Sequence, residues 1–265
     1  QDTYWKTLVR DEMAKVDAYW PIISHVMVRA SKNLKVAQFV LLLTHYMDSR
    51  FLNSDRLEFL TSALAEIDAK GDADTAALLR IDALAWTYIE EGLYNEAVRE
   101  IERGVKDLTT NAAPELRAVA DAWIARIKAS EGNFVEATEK MSSARQYSKA
   151  VDAKHWIGMR VAMIEGDVKM MQGKNEAALN HYQEAERLAE RYGGEGNRYQ
   201  TAPRIGFAML ELGKDHQACR IFRMLAENGK VSTGRLYGEY GLALAAARAE
   251  ATQEAVLRLK KIHKE

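Results

Sequence analysis

The stretch ALAWTYIEEGLYNEAVREIERG, residues 83–104, contains two helices and the bend between them. Leu84, Ala85, Tyr88 and Ile89 fall three and four residues apart, and Leu78, Leu79 and Ile81 carry the same apolar stripe back toward Thr75. That spacing predicts a helix over 75–91 with one buried face. Gly92 ends it, because glycine takes the left-handed conformation that closes a helix without steric cost. Tyr94 opens a second helix with Ala97, Val98, Ile101 and Val105 on its inner side. A bend of about two residues leaves the two helices antiparallel and adjacent.

The same bend recurs. Gly92, Gly132, Gly173 and Gly213 are spaced 40, 41 and 40 residues apart, each followed five residues on by Ala97, Ala137, Ala178 and Ala218. Nine residues on stand Ile101, Met141, Tyr182 and Phe222; seven residues before stand Ala85, Ala125, Gly166 and Gly206. Self-similarity at a fixed period marks a stacked array with a continuous concave surface. Small residues facing each other, Ala85 on the first helix and Ala97 on the second, let the two axes approach closely. Glycine inside a helix costs about 0.5–1 kcal/mol relative to alanine, so Gly166 and Gly206 point to tight packing at that level.

Counting outward gives about six antiparallel helix pairs in an all-α solenoid. The first pair, residues 34–69, is degenerate: Phe51 replaces the bend glycine and Arg56 the small residue. The sixth starts near Ser232 and keeps Ala243, Ala255, Leu259 and Ile262. Atypical end repeats are expected of such arrays. Residues 1–32, with Trp5, Trp20 and Pro21, are predicted to form an N-terminal capping or linker helical segment, and 33–265 the repeat domain.

Composition agrees with a helical chain. Of 265 residues 48% are hydrophobic, 28% are charged and only three are proline. A formal net charge of −1 supplies no basic field for nucleic acid. The single cysteine, Cys219, permits no internal disulfide and points to a reducing, cytoplasmic setting; its neighbours place it on an inward, buried face. The longest near-apolar run, Val36 to Leu43, is too short to span a bilayer. The sequence opens without methionine, as a piece of a longer protein would.

Ala125, Gly132, Phe134, Ala137, Met141 and Ala144 match the spacing of the tetratricopeptide repeat, which the chain resembles over residues 34–263 and most clearly over 75–228. Its period exceeds the usual 34 residues, so the helices are longer. In that longer form it looks like the sensor regions of bacterial signal-transduction ATPases, the class that includes the maltose regulator MalT and NB-ARC-type proteins. The stretch Phe39–Asp72 is similar to the first repeat of such proteins. The resemblance implies a right-handed superhelix in which the first helix of each pair lines a binding groove. Carried through the glycine register, the groove positions are Gln38, Leu41, His45 and Asp48; Asp82, Trp86 and Glu90; Ala122, Arg126 and Ser130; Arg160, Met163, Asp167 and Met170; Gln200, Phe207 and Glu211; Tyr237 and Tyr240. Large aromatic anchors among orienting charges suit recognition. Arg126 and Arg160, on neighbouring first helices, would make a clamp for a carboxylate or phosphate. The plainer possibility is that Trp86 fills space and Arg126 pairs with Asp167.

No constellation of an enzyme stands out. GKNEAALN (173–180) has Gly-Lys without the preceding glycine or following hydroxyl of a phosphate loop, so any ATPase lies outside this chain. The six histidines form no i,i+4 pair, and no metal or cofactor is expected. YGGEGN (192–197) is predicted to be a loop, and the basic end RLKKIHKE (258–265) to complement its helix dipole. The expected function is an effector-sensing repeat domain of a larger regulatory ATPase, bound by a protein, peptide or small molecule. The alternative is a free-standing scaffold that holds a peptide or protein without a switch.

Overall fold

Every bend between paired helices turns on one left-handed residue: Gly92, Gly132, Gly173 and Gly213 have φ between 69° and 78°, and Phe51 (φ 56°) and Glu250 (φ 59°) take the same conformation at the two ends. A Cβ added at Gly92 would meet no atom within 4 Å, so backbone conformation rather than crowding selects glycine there. The computed structural model describes residues 10–29, 34–108, 113–150, 156–192, 194–228 and 232–263, and among these no strand occurs.

Helix α1 (Arg10–Arg29) precedes the array. The paired helices are α2 (Leu34–Ser49) and α3 (Asn53–Lys70); a rod of α4 (Ala73–Leu78), a π segment (Leu79–Leu84) and α5 (Ala85–Glu90), followed by α6 (Tyr94–Asp107); α7 (Ala113–Ser130) and α8 (Phe134–Ala150). Then come α9 (Trp156–Met171) and α10 (Asn175–Tyr192), α11 (Gly194–Glu211) and α12 (Asp215–Asn228), and α13 (Ser232–Arg248) and α14 (Thr252–His263). Each helix packs on its partner across the bend, α7 also packs on α9 and α11 on α13, and α13 touches α2.

Five details depart from the sequence reading. The helix of residues 75–91 starts at Ala73, capped by the Asp72 carboxylate accepting from the Thr75 N–H. It contains a π turn, where the Ala85 N–H reaches back five residues to the Arg80 carbonyl. YGGEGN is not a loop: α10 runs to Tyr192 and α11 starts at Gly194, leaving only position 193 outside the described residues. Cys219 is half-buried rather than buried. The basic end of α14 does more than face a dipole, since Arg258 and Lys261 both donate to Glu239, a buried carboxylate of α13.

The tight packing has a different partner from the one expected. A Cβ on Gly166 would lie 2.3 Å from the Tyr182 ring, and one on Gly206 would lie 2.7 Å from the Phe222 ring. Glycine on the first helix therefore makes room for the large residue nine past the bend, not for the small one five past it. Where the first helix carries alanine, at Ala85 and Ala125, the corresponding large residue is the aliphatic Ile101 or Met141.

Helix α1 docks on the first pair as a single helix with Pro21 inside it. Trp20 stacks near Tyr46 and Phe59, with ring centroids 5.2 and 6.3 Å away, and Asp17 accepts from Tyr46 and from both Arg50 Nε and Nη2. Trp5 lies outside the described residues. The apolar core is continuous from Met27 to Val168 and then divides into smaller clusters around Met163, Tyr182 and Phe222. Among the described residues no helix is long and apolar enough to cross a membrane.

Candidate functional site

The first helices of the pairs enclose a cavity of about 480 Å³, walled by His45 and Asp48 of α2, Trp86 and Glu90 of α5, Trp123 and Arg126 of α7, Arg160 and Met163 of α9, Gln200 and Arg204 of α11, and Tyr237 of α13. Ligand pockets for small molecules have this size and this mixture of rings and placed polar groups.

The lining positions drift. Counted from the left-handed bend residue, the wall is formed six and three residues before it on α2 (His45, Asp48) and on α5 (Trp86, Ile89). On α7 it is nine and six before (Trp123, Arg126), on α9 and α11 thirteen to nine before (Arg160, Met163, Gln200, Arg204), and on α13 seventeen and thirteen before (Thr233, Tyr237). At 1.5 Å of rise per residue, the lining level moves along the helices by about 15 Å across the array. A superhelix displaces each pair along its axis, so a fixed cavity meets each first helix at a different height.

This drift sorts the expected groove residues. His45, Asp48, Trp86, Arg126, Arg160, Met163, Gln200 and Tyr237 come together at the wall with Glu90. Leu41, Ala122, Ser130 and Glu211 are not part of it, the Gln38 side chain lies outside the described residues, and the other five lie off it. Asp82 stands too early on its rod and is fully buried behind Trp123 and Arg160, its carboxylate accepting from the Trp123 indole at 3.2 Å and from Arg160 at 3.4 Å. Asp167 stands too late and is buried among Tyr182, Arg204 and Arg126. Met170 packs with the Tyr182 cluster, and Phe207 packs 5.0 Å from Phe222. Tyr240 is exposed beside Phe207.

The arginine clamp is already engaged. Arg126 Nε lies 3.3 Å from Asp167, and Arg160 pairs with Asp82 while its guanidinium rests 5.0 Å from the Trp86 ring centroid. The pairing of Arg126 with Asp167 is the plainer of the two expectations. Trp86 is no mere space-filler: it receives a second guanidinium, Arg56, at 4.8 Å, and its indole donates to Glu90 at 2.7 Å. Stacked cations of this kind contribute about 0.5–2 kcal/mol each.

Besides Ile89 and Thr233 of the wall, sequence reasoning missed three charged or aromatic residues. Arg56, taken as a lapse in the degenerate first pair, is fully buried and donates to Asp48 and Glu90 at 2.9 Å each. A charged residue inside the apolar run Leu57, Phe59, Leu60 and Ala63 is itself a signal of a buried partner. Trp123 and Arg204 stand nine residues before their bends, a position the repeat's groove register leaves out.

Packing and charge set the protonation states. Burial, then the charges of Arg160 and Arg56, holds the His45 imidazole at about 3, so it is neutral. Burial and the neighbouring Glu90 charge push the Asp48 carboxyl up to about 7 against the pull of Arg56. Burial would also raise Asp167, but the charges of Arg204 and Arg126 and the hydrogen bonds from Arg204 and Tyr182 outweigh it and keep the carboxyl below the ordinary range.

With fold and cavity in hand, the class follows: the chain is an array of TPR-like helical repeats. Its fold matches, with a TM-score of 0.52, TPR-like repeats in a Podosopora anserina protein named for kinesin light chain, over 70% of this chain and 92% of that one at 19% identity. In sequence it is similar to the transcription activator GutR of Bacillus subtilis (strain 168), 25% identical over 248 residues, which are 91% of this chain and 29% of GutR. The chain thus spans less than a third of the relative it matches. No family model matches it.

Proposed function

We propose that the chain is the effector-sensing domain of a larger transcription regulator, non-catalytic itself and working in the cytoplasm, with a small molecule held in the cavity. The observation that carries this reading is that the cavity wall takes side chains from every paired first helix, from α2 to α13. A molecule that touches them all biases how the pairs stack, and it shifts that equilibrium only by its difference in affinity for the two arrangements. Similarity to a transcription activator along nearly the whole chain supports a regulatory role. An ATPase of the signal-transduction class, encoded elsewhere in the same polypeptide, is the part such a sensor would control.

A thermal-shift screen against sugars, nucleotides, amino acids and peptides tests the reading, since binding to the folded state raises its stability by mass action. A cavity ligand is expected to raise the midpoint, and Arg126→Gln to weaken the rise while the circular dichroism of the helices stays the same, because Asp167 keeps Arg204 as its partner. A screen with no shift, or a shift whose affinity Arg126→Gln leaves unchanged, overturns it. The second reading, a peptide-holding scaffold, draws on the exposed rings of Tyr237 and Tyr240 at the cavity's α13 end. It predicts binding to extended peptides that leaves the helix packing unchanged.

A further inference from the structure

The charges around the cavity are divided by sign. Asp48 and Glu90 share one cation, Arg56, which is completely buried behind them, while their own side chains keep 19% and 31% of their surface open. Arg126 and Arg204 share one carboxylate, Asp167, which is 10% open, while they keep 19% and 28% open. The remaining pair, Arg160 with Asp82, is closed off at 1% and 0% and balances itself. The α2–α5 pole therefore presents two accessible carboxyl groups over one hidden cation, and a cation set beside them favours the charged form of Asp48. The α7–α11 pole presents two accessible guanidiniums over one hidden carboxylate. Tyr237 is within electrostatic reach of all four accessible groups, so the poles face a common space.

An unbalanced pair of opposite poles is complementary to a ligand that carries both charges. A purely anionic ligand would gain at Arg126 and Arg204 and be repelled at Asp48 and Glu90, a cationic one the reverse, and a neutral one would leave both excess charges unanswered. We propose that the cavity takes a zwitterion with a free ammonium and a free carboxylate, an α-amino acid or a short peptide. Its ammonium lies against Asp48 and Glu90, its carboxylate against the forks of Arg126 and Arg204, and its side chain beside Trp86 and Tyr237. Guanidinium forks suit a carboxylate because they donate two parallel hydrogen bonds. The volume of about 480 Å³ leaves room for a molecule of that size but not for a folded partner.

This inference rests on the reading of the cavity as an effector site. The test is calorimetric titration of the 265-residue chain with the proteinogenic L-amino acids and glycyl dipeptides, their N-acetyl and C-amide derivatives, and neutral and phosphorylated sugars. At least one zwitterion is expected to bind, with a loss of about tenfold to a hundredfold when either end is capped, the worth of a hydrogen bond to a charged group. Glu90→Gln should weaken the free ligand but not its N-acetyl form, and Arg204→Gln should weaken the free ligand but not its C-amide. The capped ligands keep the test decisive if a substitution unfolds the chain. Binding of sugars or sugar phosphates alone overturns the zwitterion and leaves the effector site standing. Binding of no compound overturns both.

Discussion

At the scale of single residues, the cavity wall is made of charged groups whose partners are fixed by the fold. Breaking a buried pair strands the other charge at a cost of about 3–5 kcal/mol, which is why Arg56 belongs to the framework as much as to the site. Two groups give the chain a pH signature of opposite sign. His45 titrates near 3 when folded and near 6.5 when unfolded; its pKa is lowered on folding, so its contribution is present above about 6.5 and lost as pH falls toward 3. Asp48 titrates near 7 when folded and near 3.9 when unfolded; its pKa is raised, so its contribution is present in acid and lost as pH rises toward 7. Urea midpoints should therefore show His45→Gln gaining on the parent between pH 6 and about 4, and Asp48→Asn gaining on it between about 4 and 7. Parallel pH profiles for parent and variants would refute both assignments. None of this was legible in the sequence, because a pKa depends on which charges a fold gathers, and Arg160 and Glu90 stand far from His45 and Asp48 along the chain.

At the scale of elements, the bends and the pairing were legible and the packing partner was not. Glycines at a fixed spacing announce bends because so few residues accept a left-handed backbone, and each of the four adopts it. The first and last bends use Phe51 and Glu250 instead, and only the helical stripes on either side reveal them. The small positions were expected to face small residues; they face Tyr182 and Phe222. Residue size alone shows that something is near, not what. Gly166→Ala is therefore expected to destabilise the chain by about 1–3 kcal/mol through overpacking, despite the better helix propensity of alanine. Combined with Tyr182→Met, which copies the Ala125–Met141 pair, the loss should fall short of the sum by about 0.5 kcal/mol or more. Chemical denaturation of the four chains of that cycle decides it, and a more stable Gly166→Ala chain would show that the ring yields freely.

At the scale of the whole molecule, the candidate site was half legible because the repeat register is constant and the superhelix is not. Transferring one set of offsets to every pair finds His45, Trp86 and Arg126, where the offset suits the cavity's height. It overshoots at Asp167, Met170 and Phe207, where the axis has carried the helix past. The division of the apolar core has its own consequence, since stability in an array is a sum of local units and interfaces. Helices α1–α9 share the unbroken core, whereas α10–α13 pack in smaller clusters. Amide hydrogen exchange should release α10–α13 before α2–α8, and uniform protection from α2 to α13 would instead reveal one cooperative block. The touch of α13 on α2 brings the beginning and the end of the array together as a clasp does. Any change in the curvature of the array must therefore open or strain that join, which couples two elements far apart in the sequence without a chain link between them.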